Sequence, residues 1–190
     1  MKTYTGIVLK HFAPYKHKVA LLDRSLGHII GILTHERLSV GTVLSYTIQV
    51  SQGRYFIKDV ELVEMPLRLA SQDMLFLHHI LELCHYFIPE GVHAERVYDL
   101  LIFIFNRAMI TNKQKKIFLC LLYVLLGLYA HDEFFYNSYM YELEQQPLHD
   151  MIDKDIDINI EKNISRWLYQ CISMHIDVQK LKTVHFLDEI

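Results

Sequence analysis

The residues best suited to chemistry in this 190-residue chain are cations interleaved with aromatic rings near the N-terminus. The run Lys10-His11-Phe12-Ala13-Pro14-Tyr15-Lys16-His17-Lys18 holds three lysines, two histidines and two aromatic rings. Lys2, Arg24, Arg37, Arg54 and Lys58 add cations, and Tyr46, Tyr55 and Phe56 add rings. A single nucleic-acid strand is bound by cations that follow its phosphates beside rings that stack on its bases. The candidate DNA-binding set is therefore Lys10, His11, Phe12, Tyr15, Lys16, Lys18, Arg24, Arg37, Arg54 and Lys58. The competing reading is that these cations solvate a surface and these rings fill a core.

Charge distribution favours the first reading. Residues 1–58 carry eight Lys and Arg against Asp23 and Glu36, a net of +6. Residues 131–163 carry nine acids against Lys154 and Lys162, a net of −7. The first stretch attracts a polyanion and the second repels one. His11, His17, His28 and His35 lie in the basic stretch. Imidazoles gain charge on mild acidification, so binding is expected to be tighter near about pH 6 than near about pH 8.

Other constellations are weaker. His78, His79, Cys84 and His85 share one helical stretch. However, there is no HExxH, and adjacent residues on a helix point in different directions. Packed histidines are expected instead of a metal site. Asp150, Asp153, Asp155 and Asp157 are spaced somewhat like a calcium loop but lack its glycine, so a solvated loop is expected. Cys171 and His175 stand four apart, which would allow a nucleophile pair but suits a buried amphipathic helix better. No P-loop, GxSxG or CxxC is present. The expectation is a protein that is not an enzyme and needs no metal and no cofactor.

The elements that must position these residues change character at Pro66. Before it, β-rich runs cover residues 2–11, 18–23, 28–35, 42–50 and 54–64, separated by turns at Arg24–Gly27 and Ser51–Gly53. Five short strands match an OB-like barrel. Gly6 and Gly31 sit inside strands, where a bend or bulge is expected. After Pro66 the apolar period becomes helical. Ser71 is a plausible N-cap, and Pro89-Glu90-Gly91 ends the first helix. A second helix is expected over about 92–110. Thr111-Asn112-Lys113-Gln114 has capping-box form and opens a third, apolar nearly all round from Ile117 to Tyr129. A short helix is expected at 139–145, a solvated loop at 147–159, a helix at 161–175 and a short one after Thr183. The predicted class is α+β: an OB-fold DNA-binding domain over 1–66 and an α-helical domain over 67–190. The longest apolar run, Ile117–Ala130, is too short to span a bilayer, so no membrane role is expected. Cys84, Cys120 and Cys171 are isolated in apolar runs, which suits buried, reduced thiols in a cytoplasmic protein.

Several segments resemble, in collinear order, the bacterial recombination mediator family RecO. TGIVLKH, with the turn Asp23-Arg24-Ser25-Leu26-Gly27, resembles the family's opening strands. YFIKDVELVE resembles its last barrel strand, and LHHILELCHYFIPEGVHAERVYDLLIFIF its first two helices. IFLCLLYVLLGLYA, with Leu126-Gly127, resembles its long helix. WLYQCISMHIDVQKLKTVHFLDEI, with Leu181-Lys182-Thr183, resembles its C-terminus. Three departures stand out: no four-cysteine zinc set in 131–159, a short and nearly uncharged 33–39 where the family has a basic loop, and a shorter chain.

The resemblance implies a nucleoid-associated DNA-repair protein that binds single-stranded DNA. It further implies a role in recombinase loading and strand annealing, with a RecR-like partner. It also implies that the helical domain receives the acidic, apolar C-terminal tail of the single-strand DNA-binding protein. Lys113, Lys115, Lys116 and Phe118 are the candidates for that docking, since cations beside an apolar groove suit a tail ending in a carboxylate. The alternative is a protein–protein adaptor that keeps the scaffold without DNA binding.

Overall fold

A computed structural model of the chain describes residues 2–14, 17–33, 38–128, 148–153, 158–175 and 181–188. The chain divides into two compact units, Met1–Arg107 and Ala108–Ile190.

The first unit opens with five strands: β1 (Thr3–His11), β2 (Lys18–Asp23), β3 (Gly27–Leu33), β4 (Val43–Ser51) and β5 (Arg54–Glu64). They close a barrel in the order β1-β2-β3-β5-β4. β1 pairs antiparallel with β2 and with β4, while β3 and β5 meet as a short parallel pair through Gly31–Leu33 and Tyr55–Ile57. This is a small OB-like barrel, as the strand pattern predicts.

Alternation along the strands fills it. Val8, Val19, Leu21, Ile29, Leu33, Leu44, Tyr46 and Ile57 form the inner cluster. Ile7, Leu9, Ala20 and Leu22 lie between them in sequence and are buried too. Successive strand residues face opposite sides, so Ile7, Ala20 and Leu22 belong to the outer face, and the helix over Met74–Phe87 packs on β1 and β2. That is why β1 and β2 read as nearly continuous apolar runs.

Gly6 and Gly31 serve close approach. A Cβ on Gly6 would lie 2.8 Å from the Tyr46 hydroxyl, and one on Gly31 2.8 Å from Ile57. The bulge in β1 falls instead between Val8 and Lys10.

Three helices follow: α1 (Leu67–Gln72), α2 (Met74–Phe87) and α3 (Glu95–Phe105). Asp73, not Ser71, caps α2, its side chain accepting from Phe76 N at 2.8 Å. A short turn of helix, α1, uses the residues before it. As the sequence predicts, the chain leaves α2 at Ile88. α3 is shorter than its apolar pattern suggests, because Asn106 ends it.

In the second unit, α4 (Asn112–Leu125) starts with the predicted capping box. Thr111 Oγ1 accepts from Gln114 N at 3.3 Å, and Thr111 N donates to Gln114 Oε1 at 2.9 Å. Residues Leu148–Asp153 form helix α5 within the stretch expected to be a solvated loop. Ile152 is fully buried there, and its burial favours an ordered segment over a solvated one. α6 (Ile158–Ser173) and a 3₁₀ turn (Val184–Asp188) are the other elements among the unit's described residues. The helix expected at 139–145 lies outside the described residues.

α4 is the centre of this unit, packed against α5 and α6. Its residues Lys115–Tyr123 are all buried, in a core that also holds Trp167, Leu168, Cys171 and Ile172. Burial, reinforced by nearby Cys171, raises the Cys120 thiol well above its ordinary value. Cys84 in the first unit is likewise raised by burial. All three cysteines are buried thiols outside any disulfide. No helix among the described residues is long and apolar enough to cross a membrane.

Candidate nucleic-acid interface

A groove of about 700 Å³ opens on the barrel. His17 and Lys18 line it from the end of the β1–β2 loop. Ile30, Gly31 and Ile32 of β3 line it too, together with Gly53, Arg54 and Tyr55 from the β4–β5 turn. Glu90 completes the lining. In an OB-fold the face of strands 2 and 3, bordered by the first and last of these loops, is where oligonucleotides and oligosaccharides bind. His17, Lys18 and Arg54 are exposed and Tyr55 is half-buried, so the groove offers cations and a ring together.

Glu90 reaches the groove by a route the local sequence hides. The segment after α2 runs along the free half of β3. There Gly91 N donates to His28 O at 2.8 Å and His28 N to Val92 O at 3.4 Å. His28 Nδ1–H donates to Ile88 O at 2.7 Å. Gly27 permits this approach: its φ is +76°, and a Cβ there would lie 1.8 Å from Val92 O. In the sequence, Glu90 is legible only as part of a helix-ending Pro-Glu-Gly.

Beside the groove, a second cluster gathers around Phe12. Lys18 Nζ lies 4.8 Å from the Phe12 ring centre and Lys10 Nζ 5.7 Å. Lys10 also sits 4.8 Å over Tyr86 and donates to its hydroxyl at 3.1 Å. His85 meets Phe12 edge-on at 5.8 Å and His28 at 5.4 Å. Burial, with Lys10 and His28 adding to it, lowers the His85 imidazole to about 4.

The structure thus brings together Lys18 and Arg54, with Lys10 and Phe12 alongside Lys18. It sets other candidates to different tasks. His11 Nε2–H donates to Leu38 O, which ties the end of β1 to the chain before β4. Arg24 pairs with Glu95 at 3.4 Å and Asp99 at 3.3 Å, joining the β2–β3 turn to α3. Lys58 donates to Gln49 Oε1 across the β4–β5 ladder. Tyr15, Lys16 and Arg37 lie outside the described residues. Of the four N-terminal histidines, His17 lines the groove, His11 is half-buried, His28 is buried, and His35 lies outside the described residues.

In the second unit, Lys115 Nζ donates to Asn112 Oδ1 at 3.0 Å and Lys116 Nζ to Glu161 Oε1 at 2.8 Å. Lys113 is half-buried at the start of α4, and Phe118 is fully buried in the core. Among the described residues, no three His, Cys, Asp or Glu side chains are grouped to hold a metal ion. Neither the family models nor the curated proteins include a match to this chain.

Proposed function

We propose that the first unit binds single-stranded nucleic acid in the barrel groove. One observation carries this reading: the loop-bordered face used by OB-folds holds Lys18, Arg54 and His17 beside the Tyr55 ring. Stacking on such a ring contributes about 1–3 kcal/mol per base without sequence demand, and the cations supply salt-sensitive attraction to phosphates. With the collinear resemblance to RecO, the fuller proposal is a recombination mediator. Single-stranded DNA would lie on the barrel, and the tail of the single-strand DNA-binding protein would dock on the second unit. Phe118 is fully buried in the core of that unit, so a docked tail would meet the lysines before it. Binding of a labelled oligothymidylate should weaken steeply with added salt.

A second reading, an adaptor without DNA binding, draws support from Lys10, Arg24 and Lys58. All three are engaged within the fold and leave fewer cations for phosphate. Absence of oligothymidylate binding at low salt would decide for it.

A further inference from the structure

Glu90 is out of keeping with a phosphate-binding groove. It is an exposed carboxylate that lines the same groove as Lys18 and Arg54. Its backbone is fixed: Glu90 bridges to His28, and the flanking Gly91 N donates to His28 O at 2.8 Å. Gly27 and Val92 hold that pairing with no room for a side chain between them. Among the described residues, no ion pair to Lys18 or Arg54 neutralises the carboxylate. An anion in a cationic groove repels phosphate. It attracts a hydrogen-bond donor. On a single strand, the neutral donors within a groove that stacks bases are the exocyclic and ring N–H groups of the bases.

We propose that Glu90 is a specificity-determining residue that accepts a hydrogen bond from a base amino group. It would thereby favour cytosine over thymine in the strand bound on the barrel. The inference rests on the nucleic-acid reading of the groove. The chemistry is that of acidic side chains accepting from cytosine N4, where thymine presents an oxygen acceptor instead. Thymine's one ring donor, N3–H, lies between two carbonyl oxygens that repel a carboxylate, whereas the outer N–H of cytosine N4 has only a C–H beside it. Tyr55 lines the same groove and offers a ring face to any base, so stacking does not itself discriminate.

The test is fluorescence-anisotropy titration of the full chain with labelled dC and dT homopolymers of equal length, near neutral pH and at fixed salt. Wild type should bind dC roughly fivefold more tightly than dT, the size expected for one partly solvated, charge-assisted hydrogen bond. Glu90→Gln offers both a donor and an acceptor and carries no charge. It should bring the two affinities within about twofold, chiefly by tightening dT. Equal affinities in wild type, or a cytosine preference that survives Glu90→Gln, would overturn the inference and leave the groove reading in place. Failure of wild type to bind either homopolymer would overturn both.

Discussion

The Tyr46 hydroxyl donates a 2.7 Å hydrogen bond to Oδ2 of Asp23, and both residues are buried in the barrel. The other carboxylate oxygen, Oδ1, accepts from Ser25 N at 2.8 Å and Leu26 N at 2.7 Å. One carboxylate therefore shapes the β2–β3 turn and ties it to β4. Burial, then the Asp23 charge and hydrogen bond, raises the Tyr46 hydroxyl far above its ordinary value, so it remains a donor. Tyr46→Phe leaves one carboxylate oxygen buried without that donor. It should cost about 1.5–3 kcal/mol in urea unfolding. Asp23→Ala strips partners from three donors and should cost at least as much.

Gly6 supports the same hydrogen bond by leaving space for the tyrosine. Gly6→Ala puts a Cβ 2.8 Å from the Tyr46 hydroxyl and 3.3 Å from Leu22 O. The expected cost is about 1–3 kcal/mol. Removing the hydroxyl should relieve part of it, so Gly6→Ala and Tyr46→Phe should be non-additive in a double-mutant cycle. Strict additivity would place the strain elsewhere.

His85 makes the first unit sensitive to acid. Its imidazole is lowered to about 4 in the fold, against 6.5 for a free group. The unfolded chain thus binds a proton that the folded chain refuses, and stability falls as pH drops from about 6.5 to about 4, levelling below. With the ring only partly buried, solvent screening leaves about 1–2 kcal/mol of this effect. His85→Phe keeps the ring against Phe12 and His28 and removes the titration. Its stability should decline less than that of wild type across that window. Parallel declines would show that other groups govern the acid response.

Lys116 and Glu161 join α4 to α6 by a 2.8 Å ion pair whose lysine is largely buried. Lys116→Ala leaves Glu161 uncompensated and should destabilise the second unit by about 2–4 kcal/mol. Lys116→Met with Glu161→Leu should recover most of that stability. A tail-peptide assay on Lys115→Ala with Lys116→Ala therefore needs a folding control, because weaker binding can follow from weaker packing.

Much of the fold is legible because local chemistry sets it. The period change at Pro66, the Thr111–Gln114 capping box and the Pro89–Gly91 stop all name their elements directly. Closure of the barrel is different. The β1–β4 and β3–β5 pairs join residues far apart in sequence, and no local pattern specifies them. The site divides the same way. Lys18 and Arg54 stand out as cations, but their meeting across one groove depends on that closure. Glu90 is invisible as a groove residue because backbone bonds to His28, far back in the chain, carry it there. Arg24 reads in the sequence as a lone cation, and its pairing with Glu95 and Asp99 is set by where α3 packs. α5 is hidden by its acids, Asp150 and Asp153, which flank the buried Ile152.

The measurement that bears most directly on the groove is the salt dependence of oligothymidylate binding for wild type and for Lys18→Ala with Arg54→Ala. Each cation that neutralises a phosphate on a single strand adds about 0.7 to the slope of log K against log salt. If Lys18 and Arg54 both bind phosphate, the double variant should have a slope shallower by about 1.4 and an affinity at low salt at least tenfold weaker. Equal slopes and equal affinities in the two proteins would contradict a phosphate-binding role for this groove.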